Sequence, residues 1–338
     1  MFIRPAITQL LHPLNNYVLP LLFLLGFSLL VAAETEENDS VDSDVAFFST
    51  SMGSSPSIEN LLSHVVNASR YYSYQGLLTY EANGSLTTLS LYQRIDDEVE
   101  NARVYQRLAF LDGASRRVIR EQNLTACMSG KTRWGLWPND FNADELKRFY
   151  DISIQAEERV ANRATFVISL VAKDQFRYGY RFNIDKQTGL LLRSVIVENE
   201  GIVERTQFVT IDLNMPSGER LLKNQEAISW RVPEVEPCHT EQFQSAWFVS
   251  WLPEGFSPVG NRVTAQGEQV LMFSDGLVSI SVFITSSQYK DIPKITARRG
   301  ATIAVMTPLT FDSSKTVAVV GEVPIVTARR MAVSVKSK

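Results

Sequence analysis

The sequence contains few of the residues that most often bind metals or act as nucleophiles. It has three histidines and two cysteines among 338 residues, and no two of them lie at the spacing of a zinc site. The Gly-x-Ser-x-Gly motif of many hydrolases does not occur. Gly130-Lys131-Thr132 matches the end of a phosphate-binding loop, but Thr125 stands where that loop needs its first glycine. We therefore predict that the chain is not an enzyme and uses neither a metal nor a cofactor.

The composition excludes several other classes of protein. Glycine and proline, with 17 and 13 residues, are too few for a collagen-like or low-complexity chain. The hydrophobic fraction of 45% is too high for a wholly disordered chain. A mean hydropathy of −0.06 is too polar for several membrane spans. The length allows two domains, each with its own core.

The one long apolar run lies at the N-terminus and has the pattern of an export signal. Arg4 precedes a run from Val18 to Leu30, which ends in the small residues of Val31-Ala32-Ala33. We expect cleavage after Ala33, so that residues 1–33 are a signal peptide and the mature chain lies outside the cytoplasm. The alternative is an uncleaved anchor, which Pro20 and the shortness of the run disfavour.

An exported chain folds in an oxidising compartment, where its two cysteines can pair. Cys127 and Cys238 are 111 positions apart, so a disulfide between them would join two distant segments. Sequence alone does not reveal the Cα separation that a disulfide requires. One bridge and two separate thiols therefore both remain open.

The charge of the chain is unevenly distributed. The formal net charge is −4, yet residues 34–44 contain six acids and no base. We expect residues 34–56 to be an acidic disordered linker. Residues 246–338 contain ten bases and six acids, which favours an acidic or phosphate-bearing partner, or else is ordinary solvated surface. No basic stripe suggests nucleic-acid binding.

The pattern along residues 57–214 predicts a helix followed by an antiparallel sheet. Ser57 can cap a helix that begins at Ile58, and Asn83-Gly84 is typical of a β-hairpin. Between Phe176 and Ile184, apolar and aromatic residues alternate with polar ones, as in a sheet with one side in water. Further strands are predicted at residues 72–80, 86–95, 104–111, 116–120, 124–128, 190–197 and 202–213, and a short helix at 142–150.

Residues 215–245 contain three prolines and little periodicity, so we interpret them as an interdomain linker. Residues 246–338 then form a second domain, with strands at 269–273, 277–285, 301–306 and 316–320 and a closing helix at 324–335. The expected fold class is mainly β, of the α+β kind.

A many-stranded sheet with one apolar face tends to curl, and its concave side can pack against a helix or hold an acyl chain. A packed helix and a bound acyl chain would contact the same side chains of the sheet. The candidate lining residues are Tyr74, Leu78, Tyr80, Trp134, Trp137, Phe166, Tyr178, Tyr180 and Phe182.

Several short motifs, in the same order, resemble the RseB/MucB family of periplasmic regulators of the envelope-stress sigma factor. The motifs together span about 280 residues. Ala114 stands where the family has proline, and the acidic segment and the 215–245 connector are less typical of it. The motifs are Tyr74-Gln75-Gly76, Leu111-Asp112-Gly113, Glu158-Arg159-Val160, Arg177-Tyr178-Gly179-Tyr180-Arg181, Trp251-Leu252-Pro253-Glu254-Gly255-Phe256, Ser274-Asp275-Gly276-Leu277 and Gly321-Glu322-Val323-Pro324.

This resemblance implies a fold and a non-catalytic function. The fold would be an unclosed antiparallel barrel around helices, as in the lipoprotein carriers LolA and LolB, with a small C-terminal α+β domain. The function would be to bind the periplasmic part of a single-span anti-sigma factor (RseA/MucA-like) and to shield it from proteolysis. Lipid, lipopolysaccharide or lipoprotein acyl chains would release this block, and a homodimer is possible. The expected anti-sigma contacts are Arg298, Arg299, Arg329 and Arg330.

A competing hypothesis is a periplasmic carrier of lipid or lipoprotein that has no signalling partner. The second domain distinguishes the two, because single-domain carriers lack it.

Overall fold

The computed structural model describes residues 56–96, 103–123, 143–199, 201–213, 229–231, 244–264, 267–286 and 294–338. They form a large domain up to residue 231 and a small domain from residue 244. The predicted mainly β fold is confirmed. The signal peptide, the acidic segment and the strand expected at 124–128 lie outside the described residues.

The large domain consists of two helices and ten strands. Its elements are α1 (Ile58–Tyr71), β1 (Tyr74–Ala82), β2 (Ser85–Asp96), β3 (Arg103–Phe110), β4 (Arg116–Asn123), α2 (Ala143–Phe149), β5 (Tyr150–Val160), β6 (Arg163–Ala172), β7 (Gly179–Asp185), β8 (Leu191–Glu198), β9 (Gly201–Asp212) and β10 (Ser229–Arg231).

Helix α1 begins as the sequence predicts. The Ser57 side chain accepts a hydrogen bond from the Asn60 amide at 3.2 Å, which satisfies one of the unpaired donors of the first turn. Leu61, Leu62 and Val65 face inward and belong to the same buried cluster as the apolar face of the sheet. The helix thus covers apolar surface that the sheet alone would leave in water.

The ten strands form one open sheet in the order β10-β4-β3-β2-β1-β9-β8-β7-β6-β5. Among the described strands, β10 and β5 are the two edges, so the sheet curves without closing. All pairs are antiparallel except β10 with β4. The predicted hairpin at Asn83-Gly84 is confirmed, with both residues at positive φ (51° and 73°), as a two-residue turn of this kind requires.

The structure differs from the sequence prediction at three places in this sheet. The strand expected from Phe176 begins only at Gly179, because the Asp174 side chain accepts a hydrogen bond from the Phe176 amide at 2.8 Å and forms a turn. The β5–β6 hairpin, at the Ala161-Asn162 turn, was not predicted. Within the expected linker, residues 229–231 form β10 on the large sheet.

The small domain contains a six-stranded sheet, a two-stranded sheet and one helix. The order of the larger sheet is β12-β13-β14-β17-β16-β15, and β11 pairs with β18. The elements are β11 (Trp247–Val249), β12 (Ser257–Val263), β13 (Gln269–Ser274), β14 (Ser279–Ser286), β15 (Ile295–Arg299), β16 (Thr302–Leu309), β17 (Asp312–Gly321), α3 (Ile325–Val333) and β18 (Val335–Ser337).

The four strands and the closing helix predicted here are confirmed with small shifts of their ends. Strands β11, β12, β15 and β18 were not predicted. Helix α3 begins after Pro324 and buries Thr327, Ala328, Met331 and Ala332. The buried cores of the two domains form one continuous cluster. No helix within the described residues is long and apolar enough to cross a membrane.

Candidate functional site

The two domains meet at a buried arginine, Arg177, in the turn between β6 and β7. Its guanidinium donates hydrogen bonds to Asp174 in the same turn at 3.0 Å and to Asp275 of the small domain at 3.1 Å. It also donates to the backbone oxygen of Glu254. The ring of Phe149 lies 4.8 Å from its central carbon. We call Arg177 with these partners the anchor.

The small-domain partners of the anchor lie on two tight loops. Asp275 accepts the backbone N–H groups of Leu277 at 2.9 Å and Val278 at 3.0 Å, which fixes the turn before β14. Gly255, next to Glu254, has a φ of 87°, and a Cβ there would overlap the Phe149 ring. This loop therefore requires glycine, both for its backbone conformation and for its close approach to the large domain.

Helix α3 and the loop before β12 continue the contact beside the anchor. The Thr327 hydroxyl donates to the Phe176 backbone oxygen at 2.7 Å. The Trp251 ring packs edge-to-face on Phe176 with centroids 5.0 Å apart. Arg330 lies over the Trp251 ring at 4.0 Å, so its charge stays at the surface while its side chain covers aromatic surface.

A second contact between the domains lies at the β15–β16 turn. The Glu204 carboxylate of β9 accepts hydrogen bonds from the Tyr80 hydroxyl at 3.1 Å and from the Ala301 amide at 3.0 Å. Gly300 has a φ of 54°, and a Cβ there would overlap both Glu204 and Tyr80. Together with Glu322, whose charge interacts with that of Glu204, we call this group the latch.

The electrostatics of the latch are unusual. Loss of hydration, followed by repulsion from Glu204, raises the pKa of Glu322 to about 8. Burial also raises the pKa of Glu204, against the hydrogen bonds from Ala301 and Tyr80 and the nearby charge of Arg299. The pKa values of both carboxyl groups of the latch are therefore raised above their ordinary value.

Of the predicted arginines, two lie beside the latch and two on α3. Arg298 forms an ion pair with Glu198 of the large domain at 2.9 Å. Arg299 is half-buried. Burial lowers the pKa of its guanidinium, and the electrostatic interactions with Tyr80 and Glu204 raise it. Arg329 and Arg330 are exposed on α3. The structure thus engages the first pair inside the chain and leaves the second pair at the surface.

The described cleft candidates are packed in or against the core. Tyr74 packs edge-to-face on Phe208 with centroids 5.9 Å apart, and Lys186 lies over the Phe166 ring at 4.7 Å. Leu78, Tyr80, Tyr178, Tyr180 and Phe182 are buried.

One of these tyrosines belongs to the latch, because the Tyr80 hydroxyl donates to Glu204. Within the described residues, the buried hydroxyls of Tyr178 and Tyr180 have no hydrogen-bond partner. Trp134, Trp137, Cys127 and Cys238 lie outside the described residues.

Sequence reasoning missed the charged residues that join the domains. The sequence pattern places Arg177 on the polar side of a predicted strand and Asp275 within a short motif, and it does not single out Glu204 or Glu322. Arg177, Asp275 and Glu322 nevertheless lie inside the quoted motifs, so a charged residue within a motif was the available signal. In the part of the chain that the structure describes, no cluster of side chains could hold a metal ion.

Comparison with known proteins identifies the family. The MucB/RseB N-terminal domain matches residues 57–229, and the MucB/RseB C-terminal domain matches residues 241–336. The sigma factor AlgU regulatory protein MucB of Pseudomonas aeruginosa is 33% identical over 289 residues, which is 81% of this chain and 89% of MucB. The sigma-E factor regulatory protein RseB of Haemophilus influenzae is 28% identical over 70% of this chain and 79% of RseB.

A solved structure of the Pseudomonas aeruginosa MucA/MucB complex has the same fold. It superposes with a TM-score of 0.64 and 28% identity, and the match covers 83% of this chain and 98% of the solved chain. Both domains of this protein thus have counterparts in that structure. The chain therefore belongs to the MucB/RseB family.

Proposed function

We propose that this protein is a periplasmic regulator that binds the periplasmic part of a single-span anti-sigma factor and shields it from regulated proteolysis. The observation that carries this proposal is the match of both domains to regulatory relatives, one of which was solved as a complex of MucA with MucB. The protein acts by binding, and no catalytic step is part of the proposal.

The geometry suggests how a ligand could end the protection. A ligand can shift a two-state protein only if it binds one state more tightly than the other. Tyr80 belongs to the core of the large domain, and its hydroxyl also donates to Glu204 in the latch. We infer that an acyl chain entering this core displaces Tyr80 and weakens the contact with the small domain. Lipid, lipopolysaccharide or lipoprotein acyl chains are the proposed ligands.

The proposed anti-sigma contacts fall into two sets. Arg329 and Arg330 are exposed on α3 and are available while the domains are in contact. Arg298 is paired with Glu198 and becomes available only when the latch separates. We propose that Arg329 and Arg330 meet acidic residues of the anti-sigma factor first. A homodimer remains a further proposal.

Binding of the purified periplasmic segment of the anti-sigma factor to the mature chain tests the function. The double variant Arg329→Glu/Arg330→Glu is expected to bind at least about tenfold more weakly, because each reversal replaces an attraction by a repulsion. Lys294→Glu/Lys336→Glu is the matched control, since it changes the charge of the same domain equally at other exposed positions. Failure of the unchanged chain to bind would contradict the proposal.

The alternative, a carrier of lipid without a signalling partner, rests on the open sheet and its aromatic core. It predicts that lipid is recovered with the purified protein and that no anti-sigma factor is captured. The small domain has no part in that alternative, whereas the regulator uses it.

A further inference from the structure

Helix α2 lies between the helix that covers the core of the large domain and the contact that holds the small domain. Leu146 of α2 is buried in the same cluster as Leu61 and Leu62 of α1, and the two helices are in contact. The Lys147 ammonium forms an ion pair with Glu59 in the first turn of α1. On this side, α2 is therefore attached to α1 both by apolar packing and by a pair of opposite charges.

The C-terminal end of the same helix lies on the anchor. The Arg177 guanidinium carbon is 4.8 Å from the centroid of the Phe149 ring. The Gly255 backbone of the small domain lies so close to this ring that a Cβ there would overlap it. Arg148 adds an ion pair with Glu254 of the small domain at 3.7 Å. The end of α2 thus touches anchor residues of both domains.

A second connection joins α2 to the anchor through the end of β6. The Lys173 amide donates to the Phe149 backbone oxygen at 3.0 Å, and the Lys173 ammonium donates to the Lys147 backbone oxygen at 2.7 Å. These bonds satisfy carbonyl groups of the last helical turn, which have no partner within the helix. Lys173 directly precedes Asp174, which accepts a hydrogen bond from Arg177 at 3.0 Å. A shift of α2 therefore acts on Arg177 through this turn as well as through the Phe149 ring.

The contacts of α2 with α1 and with the anchor lie within one helical turn. The helix has seven residues, which at the usual rise span about 10 Å. Lys147, which binds α1, is two positions from Phe149, which lies on the anchor. The backbone of one helical turn is held by its hydrogen bonds, so movement at one of these contacts displaces the other.

We propose that α2 couples the helix over the large-domain core to the anchor. When α1 moves away from the sheet, α2 moves with it, the Phe149 ring leaves Arg177 and Gly255, and the small domain is loosened at the anchor more than at the latch. The coupling is a property of the chain alone and does not rest on the proposed function. A ligand that enters the core under α1 would use the same coupling to reach the small domain.

Amide hydrogen exchange of the full mature chain measures the two contacts separately. The Leu277 and Val278 amides donate to Asp275 and report on the anchor, whereas the Ala301 amide donates to Glu204 and reports on the latch. The latch serves as the internal reference, because Glu204 lies on the central strand β9, while α2 leads into the edge strand β5.

Leu62→Ala weakens the packing of α1 at a distance from the anchor. We expect exchange at Leu277 and Val278 to be accelerated at least about tenfold more than exchange at Ala301. Leu89→Ala is the matched control, because Leu89 is a fully buried leucine of the same cluster but lies on β2. In this control, the ratio of anchor exchange to latch exchange should change by less than about twofold.

A charge variant tests the same coupling without removing core atoms. Glu59→Lys places two cations between α1 and α2, and it should accelerate exchange at Leu277 and Val278 about threefold. The double variant Glu59→Lys/Lys147→Glu restores opposite charges at this contact, so exchange should return to the rate of the unchanged chain.

The proposal is overturned if Leu62→Ala accelerates exchange equally at the anchor and the latch, or if Leu89→Ala accelerates exchange at the anchor as selectively as Leu62→Ala does. It is also overturned if Glu59→Lys leaves the anchor unchanged, or if the double variant fails to restore it. Should Leu62→Ala fail to fold, the two charge variants still decide the question. None of these measurements uses an anti-sigma factor or a lipid, so their failure would leave the proposed function standing.

Discussion

Arg177 and Asp275 form an ion pair across the two domains, with N and O atoms 3.1 Å apart and both side chains 0% exposed. Burial raises the pKa of Asp275, and the Val278 and Leu277 amides and the charge of Arg177 act against that rise. This pair joins the domains strongly only while Arg177 is present, because Asp275 without it would be a buried charge that has lost its ion-pair partner. It is thus the most sensitive point of the interface.

Replacing Arg177 by methionine removes one partner of this pair and leaves Asp275 buried. We expect a loss of about 3–5 kcal/mol in the free energy of unfolding, the range typical of a broken buried ion pair. Urea unfolding at neutral pH measures it. Arg181→Met is the matched control, because Arg181 pairs with Glu158 at the surface and is 46% exposed, where the loss should stay below about 1 kcal/mol. An equal loss of unfolding free energy in the two variants would contradict the proposed role of Arg177 in joining the domains.

Gly300→Ala tests the close approach at the latch. A Cβ at Gly300 would overlap Glu204 and Tyr80, whereas a Cβ at Gly84, which also has a positive φ, meets nothing within 4 Å. Both substitutions carry a backbone strain of about 1 kcal/mol or more, so their difference isolates the contact. We expect only Gly300→Ala to increase the exchange rate of the Ala301 amide, by about tenfold or more. Equal exchange in both variants would show that the contact is absent in solution.

Leu62→Ala tests whether the core under α1 can accept an acyl chain. Leu62 is 0% exposed, and its truncation should reduce stability by about 2–5 kcal/mol and leave an apolar cavity. Because such cavities stay dry and take up apolar ligands, binding of a fluorescent fatty acid should become at least about threefold tighter. Leu309→Ala in the core of the small domain is the control, and it should leave this affinity unchanged. If both variants bind the fluorescent fatty acid with the same affinity, the acyl site is not under α1.

Glu158 stabilises the large domain, and this stabilisation decreases in acid. A hydrogen bond from Asn183 and the charges of Arg181 and Arg193 lower its pKa, against the effect of burial. A lowered pKa contributes stability above the ordinary value of about 4.5, and this stability is lost as the pH falls. Glu158→Gln should therefore cost about 0.5–1 kcal/mol at pH 7 and less at pH 3, as measured by urea unfolding.

The control for this pH effect is Glu157→Gln. Glu157 pairs with Lys186 at the surface and is 60% exposed, so its removal should change stability by less than about 0.5 kcal/mol at either pH. A loss for Glu158→Gln that is as large at pH 3 as at pH 7 would show that the carboxylate charge is not its source.

The sequence predicts what depends on local periodicity and turn chemistry. Ser57 as a helix cap and the Asn83-Gly84 hairpin are each encoded within a few residues, and the structure confirms them. The alternation from Phe176 to Ile184 is only partly right, because the strand begins at Gly179 and the polar residues Arg177 and Asn183 are buried. The β5–β6 hairpin was missed because the register shifts between Gln155 and Glu158, and this bulge interrupts the alternation that identifies a strand.

The contacts between the domains could not be predicted from residues that are neighbours in the sequence. Arg177 and Asp275 are separated by 98 positions, and nothing near either residue in the sequence shows that they pair. The same holds for Glu204, which meets the turn at Ala301 after a separation of 97 positions. The net positive charge of the small domain drew attention to its arginines, but composition cannot tell that Arg298 binds Glu198 within the chain.

The central claim is that the mature chain protects an anti-sigma factor from proteolysis. Its most direct test incubates the purified periplasmic segment of the anti-sigma factor with the protease that starts its degradation, with and without a molar excess of the mature chain. The account predicts that the mature chain slows cleavage at least about tenfold, in proportion to the fraction of segment bound. Added lipopolysaccharide or acylated peptide should restore cleavage. Cleavage at the same rate with and without the mature chain would contradict the account.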